Sequence, residues 1–169
     1  ICFNVSRSTI DRLTNCYLPK GFSPKKILEI GASTGFNCLA LAEKYKEAEI
    51  YSIEIDQDAV NISSSMAIDF NIFNYTPRLG FGENIDFPDK QFDLIICLTV
   101  IEHVKNVKEV ISEINRLLNP GGFAHIEAPN YLWPFEPHLK VWCIPMLGKK
   151  SMSILSKIQG KGYLNWYLN

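Results

Sequence analysis

The sequence predicts an α/β domain with a parallel sheet, and three observations support that prediction. Apolar stretches rich in β-branched residues are followed by stretches whose apolar positions have helical spacing. A glycine-bounded turn at residues 31–35 joins the first such strand to a helix. Residues 92–98 form a nearly continuous apolar run, which is typical of a central strand covered on both faces. Strands that alternate with crossover helices belong to a parallel sheet.

A lead-in helix is predicted before the first strand. Residues 8–11 fit a capping box, and Ile10, Leu13 and Tyr17 then share one helical face. Residues 27–30 are predicted as the first strand, and the helix after the glycine turn has one apolar face that can lie on a sheet. That face is formed by Cys38, Leu41, Ala42 and Tyr45.

The second strand and second helix follow the same alternation. Residues 49–55 alternate and are rich in β-forming residues, and Asp56 opens the helix after them. A short third strand is expected within an irregular stretch at residues 71–84, which contains proline and glycine. The inward face of the second helix is predicted to hold Ala59, Ile62, Met66 and Phe70.

The last predicted elements are a capped helix, a fifth strand and an irregular segment. Asn106 caps a helix that the stretch at residues 119–122 ends, and residues 123–128 form the strand. From residue 129 onward prolines and aromatic residues break the periodicity, and residues 151–158 are predicted to form one short helix. One side of the capped helix holds Val107, Val110, Ile111, Ile114 and Leu118.

Composition excludes several classes of function. The 17 basic and 18 acidic residues are scattered and leave a net charge of −1, so no electrostatic footprint for nucleic acid is predicted. The five cysteines are far apart and form no C-x-x-C pair, which favours free thiols in the cytoplasm over disulfides or a metal site. No membrane span or export leader is predicted, and a start at Ile1 without methionine is compatible with a fragment.

The glycine turn and a carboxylate further along the chain predict a nucleoside site. Glu29 and Gly31 end the first strand, Gly35 opens the helix, and Glu54 ends the second strand 23 positions beyond Gly31. The glycines allow a sharp turn and a close approach of backbone to a ligand. A carboxylate at the tip of the second strand can accept hydrogen bonds from both ribose hydroxyls.

Four sequence blocks, taken in order, carry a family resemblance. They are residues 29–35, 80–93, 97–104 and 116–122. In this combination residues 27–129 resemble the class I S-adenosylmethionine-dependent methyltransferases, in particular the small-molecule branch that includes quinone-biosynthesis enzymes. The resemblance implies S-adenosylmethionine as the cofactor. It also implies a Rossmann-like, doubly wound, mostly parallel sheet of seven strands with helices on both faces.

The resemblance also implies roles for individual residues. Residues 31–35 would bracket the methionine part of the cofactor, and Glu29 would reach its amino group directly or through water. Glu54 would hold the ribose, and Gly82 and Glu83 would lie by the adenine. The residues implied to bind the cofactor, with Cys97 and Leu98 supplying backbone, are Glu29, Gly31, Ala32, Ser33, Gly35, Glu54, Ile55, Gly82, Glu83, Cys97 and Leu98.

The sequence departs from the family pattern at three places. Ser33 replaces the usual middle glycine, and Phe81 stands where an acidic residue is often found. The final antiparallel strands are not recognisable after Pro129. We therefore predict one methyltransferase domain over residues 1–169 that lacks a recognisable end of the sheet. Its parts are a lead-in helix at 1–24, a cofactor-binding core at 25–128 and a substrate-side insertion or lid at 129–169.

The implied reaction is in-line transfer of a methyl group to an oxygen, nitrogen or carbon nucleophile of a small molecule. A base is needed only when the acceptor keeps its proton, and histidine suits that work near neutral pH. His103 and His138 are the candidates, although each could instead brace a loop. No metal is predicted, and the acceptor and oligomeric state stay open.

Two other functions compete with methyl transfer. The stretch at residues 31–35 also satisfies the G-x-S-x-G elbow of α/β-hydrolases, with Ser33 as nucleophile and Asp93 and a later histidine as partners. Only about thirty residues precede it, too few for the strands that come before the elbow in that fold. A non-catalytic nucleoside-binding protein of the same fold is the stronger alternative, whereas Ser33 disfavours a nicotinamide-dependent dehydrogenase.

Overall fold

The computed structural model describes residues 2–129, 135–136 and 141–142. The chain divides into two compact units, Ile1–Ala128 and Pro129–Asn169. In the second unit the described residues form one antiparallel strand pair, β6 with β7. The single-domain organisation stays a prediction. The elements are α1 (Cys2–Cys16), β1 (Lys26–Ile30), α2 (Phe36–Lys44), β2 (Glu49–Glu54), α3 (Gln57–Asp69), β3 (Tyr75–Leu79), β4 (Phe92–Leu98), α4 (Val107–Leu117), β5 (Leu118–Glu127), β6 (Phe135–Glu136) and β7 (Val141–Trp142).

The first unit contains a five-stranded parallel sheet with the order β3-β2-β1-β4-β5. The order reverses between β1 and β4, and ligands of such sheets bind at this switch point, outside the carboxyl ends of the strands. Ile30 of β1 is in register with Ile53 of β2 and Cys97 of β4. The three strand ends therefore meet at one crevice. The α/β, parallel-sheet prediction is confirmed, with five of the seven implied strands in this sheet.

Helices cover both faces of the sheet. One buried cluster joins α1, α2 and α3 to one face, and a second joins α4 to the other. Along β1 the side chains alternate, so Ile27 belongs to the first cluster while Leu28 and Ile30 belong to the second. The same alternation sends the side chain of Glu29 toward α2, away from α4.

The first helix begins earlier than the sequence predicts. It starts at Cys2, so Ser8 lies in the middle of the helix and the predicted capping box is wrong. The reason is tertiary packing: the ring of Phe3 lies 5.1 Å from that of Phe70 and 6.5 Å from that of Phe36. Ile10 is buried as predicted, whereas Tyr17 lies beyond the helix end and is 60% exposed.

The predicted inward face of α3 is partly wrong. Ile62 and Phe70 are each 47% exposed, whereas small residues fill the interface with the sheet. The small side chains bring the helix close enough for the hydroxyl of Ser63 to bond the Tyr75 hydroxyl at 2.7 Å. A prediction from hydrophobicity alone therefore assigned the wrong residues to the buried face of α3. The buried residues of α3 are Ala59, Val60, Ser63 and Ala67.

The cap of α4 is confirmed, and its apolar face is narrower than predicted. Asn106 accepts a hydrogen bond from the Lys108 amide at 3.1 Å. Val107 and Ile111 are 42% and 40% exposed. The strand after this helix begins at Leu118, five residues before the predicted start. The buried residues of α4 are Val110, Ile114 and Leu117.

Asp93 ties together the amino ends of β1, β4 and β5. Its carboxylate accepts hydrogen bonds from the amides of Lys25 at 2.7 Å and Lys26 at 3.0 Å, and from the Asn119 side chain at 2.8 Å. Burial raises the pKa of Asp93, but these hydrogen bonds outweigh it, so the pKa lies below its ordinary value. The stabilisation is therefore present above the unfolded-state pKa of about 4 and is lost as pH falls through the lower folded pKa.

Asp93→Asn is expected to lower the free energy of unfolding by about 1–2 kcal/mol at pH 7, because the carboxylate loses charge-assisted hydrogen bonds. The deficit should shrink at an acidic pH below the lowered folded pKa, where the wild-type carboxyl is protonated. Urea unfolding at both pH values measures it. Asp86→Asn, at an exposed position, is the matched control. A deficit that does not change with pH would contradict this role for the charge.

Candidate functional site

The turn after β1 needs backbone conformations that favour glycine. Gly31 and Gly35 have φ values of +72° and +79°. A side chain at Gly31 would collide with a methyl group of Val100, and one at Gly35 would collide with the hydroxyl of Ser63. Both glycines are therefore required by conformation and by close neighbours. The Gly31 amide donates to the carbonyl of Ile53 at 2.8 Å, which joins the turn to β2.

Ser33 has a left-handed backbone conformation at the position where the family pattern has its middle glycine. Its φ is +49°, inside the small left-handed region that residues other than glycine can occupy. Its amide donates to Oε2 of Glu54 at 2.7 Å. This bond supplies part of the compensation for a conformation that costs about 1–2 kcal/mol. A serine in place of the usual glycine is thus compatible with the shape of the turn.

Glu54 lies at the end of β2 and faces the turn. Besides the Ser33 amide on Oε2, its Oε1 accepts from the amides of Ile55 at 2.8 Å and Asp56 at 3.1 Å. A carboxylate accepts about four hydrogen bonds, so one position on Oε2 is left for a ligand. The glycine turn and the carboxylate that the sequence singled out are therefore in direct contact.

Glu29 is held away from the crevice by α2. It is 2% exposed, and its oxygens accept from the Asn37 side chain at 3.0 Å and the Cys38 thiol at 2.9 Å. Burial raises the pKa of Glu29, which the hydrogen bonds from Cys38 and Asn37 oppose. The structure places this side chain beneath the turn, where it supports the start of α2.

A cleft of about 470 Å³ opens beside Gly31 and Glu54. Five residues of the predicted cofactor set line it: Gly31, Glu54, Ile55, Gly82 and Glu83. Six others are not on its wall: Glu29, Ala32, Ser33, Gly35, Cys97 and Leu98. The remaining lining residues are Ile30, Ile53, Gly80, Phe81, Asn84, Val100, His103, Val104, Lys105 and Glu109. The cleft is thus formed by the ends of β1, β2 and β3 and by the segment between β4 and α4.

The sequence interpretation did not assign Val100, Val104 or Lys105 to the site. Their signal is their position just after β4, at the carboxyl edge next to the switch point. The Lys105 amide donates to Oε1 of Glu83 at 3.1 Å, which ties the segment after β4 to the segment after β3. Gly82 lets this wall pack against Ile30, since a side chain there would lie 3.1 Å from an Ile30 methyl.

Of the two candidate bases, His103 lines the cleft and His138 lies outside the described residues. The His103 amide donates to the Val100 carbonyl at 2.8 Å, closing a turn after β4. Cys97 ends the buried part of β4, and burial followed by the charges of Glu102 and Glu29 raises its pKa to about 12. Its thiol therefore stays neutral near pH 7 and is unsuited to nucleophilic chemistry.

The described residues include neither a cluster of metal ligands nor a helix that could span a membrane. Within them, no group of three or more histidine, cysteine, aspartate or glutamate side chains is arranged to hold a metal ion. None of the helices in the described part of the chain is long and apolar enough to cross a bilayer.

Comparisons with known proteins identify a family. Residues 5–166 match the family described as "Methyltransferase domain". The uncharacterized methyltransferase YcgJ of Bacillus subtilis is 29% identical over 97 residues, 57% of this chain and 38% of that relative. A demethylmenaquinone methyltransferase of Tropheryma whipplei is 28% identical over 131 residues, 74% of this chain and 52% of that relative. The chain thus spans about half or less of these relatives' lengths.

Solved structures share the fold. The crystal structure of YcgJ superposes with a TM-score of 0.61 and 24% identity, covering 72% of this chain and 49% of that one. PKMT2 from Rickettsia typhi, solved in complex with AdoHcy (S-adenosylhomocysteine), has a TM-score of 0.56 and 26% identity, covering 59% of this chain and 20% of that one. Since the family match extends over nearly the whole chain, this protein belongs to the methyltransferase-domain family.

Proposed function

We propose that this protein binds S-adenosylmethionine in the cleft and transfers its methyl group to a small-molecule acceptor. One observation carries the proposal: the Ser33 amide of the glycine turn lies 2.7 Å from Oε2 of Glu54. The turn and the carboxylate therefore belong to one site, at the carboxyl edge where such sheets bind ligands. Family membership and the AdoHcy complex of the Rickettsia relative support the choice of cofactor.

The residues present fit this cofactor. Glu54 has one acceptor position left, on the oxygen that faces the turn, and a ribose hydroxyl is a suitable donor. A second ribose hydrogen bond needs the Ser33 amide or another donor to give up its place. The absence of side chains at Gly31 and Gly82 leaves backbone on the cleft wall, and Ile55 offers an apolar surface there that is 65% exposed.

Other roles are assigned from the family resemblance. We assign the adenine to the wall that contains Gly82 and Glu83, and the methionine part to residues 31–35. Ala32 and Gly35 would contribute backbone there, and Cys97 and Leu98 would contribute backbone at the end of β4. These assignments follow the family resemblance and are proposals for this chain.

The bound cofactor supplies the methyl group and its own leaving group, a neutral thioether. The protein's part is to hold the acceptor in line with the methyl group in a site that excludes water, and such positioning can contribute about 7–11 kcal/mol in favourable cases. His103 lies on the cleft wall and would take a proton from an acceptor that keeps one. His138 remains a second candidate base.

A small-molecule acceptor is supported by the demethylmenaquinone methyltransferase relative, whose name indicates a quinone precursor as substrate. We propose a biosynthetic intermediate of a quinone, lipid or glycan. Free thiols at Cys16, Cys38 and Cys97 support a cytoplasmic location, because cysteines stay reduced there.

Calorimetric titration of the protein with S-adenosylmethionine and with NAD tests the cofactor. Binding of S-adenosylmethionine without binding of NAD is the expected result, and the reverse would overturn the proposal. Mass spectrometry of co-purified nucleosides is an independent measurement. An acceptor panel monitored for S-adenosylhomocysteine then tests transfer.

The second candidate is a nucleoside-binding protein without catalysis. It is favoured by Phe81, which lines the cleft 60% exposed where the family often has a carboxylate. Cofactor binding with no turnover across the panel would support it. Labelling of Ser33 by a serine-reactive phosphonate would instead support the hydrolase alternative.

A further inference from the structure

Glu102 has a buried carboxylate without a partner. Both of its carboxylate oxygens are buried, and among the described residues they are the only buried side-chain polar atoms with no hydrogen bond. Such a group loses its hydration and gains no bond in return, so native proteins rarely keep one without a reason. An ionised carboxylate only accepts hydrogen bonds. Glu102 therefore needs a donor that the described residues do not supply.

Glu102 lies in a turn held beside the cleft. The turn is closed by the bond from the His103 amide to the Val100 carbonyl, and both of these residues line the cleft. The residue before the turn, Thr99, has a φ of +53°, which is uncommon for a β-branched residue. Strained backbone of this kind clusters at functional sites. The Thr99 amide donates to the Glu127 carbonyl at 2.8 Å, which anchors the strained residue to β5.

Three carboxylates lie on or shortly after three adjacent strands near the switch point. Glu54 ends β2, Glu29 lies next to the end of β1, and Glu102 follows β4. Glu54 and Glu29 already accept hydrogen bonds from the protein. The charges of Glu102 and Glu29 both act on Cys97, so both carboxylates lie near the end of β4. Of the three, Glu102 alone has both oxygens without a hydrogen bond, and both are buried next to the cleft residues Val100 and His103 without lying on the cleft wall.

The charges of the cleft favour a cation. Its lining includes the carboxylates of Glu54, Glu83 and Glu109, one lysine, Lys105, and one histidine, His103. An acidic crevice attracts positive ligands and repels anionic ones. S-adenosylmethionine carries a sulfonium and an ammonium group. The sulfonium has no N–H or O–H to donate, whereas the ammonium has three N–H donors, so only the ammonium meets the need of Glu102.

We propose that Glu102 binds an alkylammonium group at the switch point and that this group is the amino group of the cofactor's methionine part. The inference rests on the proposed function and deepens it. It assigns to Glu102 the contact that the family resemblance implies for Glu29, whose oxygens are engaged by Asn37 and Cys38. A protonated amine on the acceptor has the same chemistry and is the other source that the experiment distinguishes.

The test titrates three ligands into the full chain by calorimetry. S-adenosylhomocysteine carries the amino-acid ammonium, 5′-methylthioadenosine lacks it, and sinefungin carries it together with a second ammonium where the transferred methyl would be. Glu102→Gln should weaken the binding of S-adenosylhomocysteine and of sinefungin at least tenfold. The affinity for methylthioadenosine should stay unchanged. Glu47→Gln, the same charge change at an exposed position, should leave all three unchanged.

A loss of affinity for sinefungin alone would indicate that Glu102 binds an ammonium group of the acceptor. That result would overturn the assignment to the cofactor. Unchanged affinities, or equal losses for all three ligands, would overturn the inference. Failure of the wild-type protein to bind any of the three would overturn the proposed function itself, and the inference with it.

Thermal unfolding without ligand separates binding from a structural role. Glu102→Gln should unfold at the same temperature as the wild type or higher, because neither carboxylate oxygen of Glu102 makes a hydrogen bond that supports the fold. A clearly lower unfolding temperature would show that Glu102 supports the fold and would overturn the inference.

Discussion

Gly35→Ala is expected to destabilise the protein by about 2–5 kcal/mol. The left-handed conformation, with φ of +79°, costs a residue other than glycine about 1–2 kcal/mol. The new methyl group would also collide with the hydroxyl of Ser63 and lie 2.7 Å from that of Tyr75, and such overpacking costs about 1–3 kcal/mol. Urea unfolding measures the sum.

The collision matters because it breaks a buried hydrogen-bond network below the glycine turn. The Tyr75 hydroxyl is bonded to Ser52 at 2.8 Å and to Ser63 at 2.7 Å. This network joins β2, α3 and β3. We therefore expect Gly35→Ala to weaken cofactor binding as well, since the turn stands directly on the network.

Gly21→Ala is the matched control for the conformational cost. Gly21 has a φ of +80°, and nothing lies within 4 Å of a side chain added there. Gly21→Ala should lower the free energy of unfolding by only about 1–2 kcal/mol. Adding Ser63→Ala to Gly35→Ala should recover part of the loss by removing the nearest colliding atom. Equal losses for Gly21→Ala and Gly35→Ala would contradict the collision.

Glu54→Ala is expected to weaken binding of S-adenosylmethionine by about 1–3 kcal/mol, the value of hydrogen bonds to a charged group. Two effects act together: the ribose loses its carboxylate, and the amides of Ser33, Ile55 and Asp56 lose their common acceptor. The second effect should loosen the turn even without ligand. Calorimetric titration gives the change in dissociation constant.

Two comparisons isolate the effect of Glu54. Glu47→Ala removes a carboxylate at an exposed position and should leave the affinity unchanged. Methylthioadenosine, which keeps the ribose, should lose as much affinity for Glu54→Ala as S-adenosylmethionine does. An unchanged affinity of Glu54→Ala for both ligands would remove Glu54 from the site.

Several features were predictable because they depend on neighbours in the sequence. The glycine turn follows from the change from strand to helix around residues 31–35, and the α4 cap follows from Asn106. The parallel sheet follows from the alternation of strands and helices. Other features were not predictable in the same way. The buried face of α3 is made of small residues because Ser63 bonds Tyr75, a contact between two different elements.

The sequence by itself determined the fold class, the family resemblance and the pairing of the glycine turn with Glu54 as one candidate site. The fold class rests on periodicity, the candidate site on the position of two motifs, and the resemblance on four sequence blocks, all of which are read along the chain. Only the tertiary structure decided that Glu29 is engaged beneath the turn, that Val100 closes over Gly31 and that Glu102 has no partner among the described residues. Burial and hydrogen bonding depend on which distant segments pack together, and spacing along one chain does not specify those contacts.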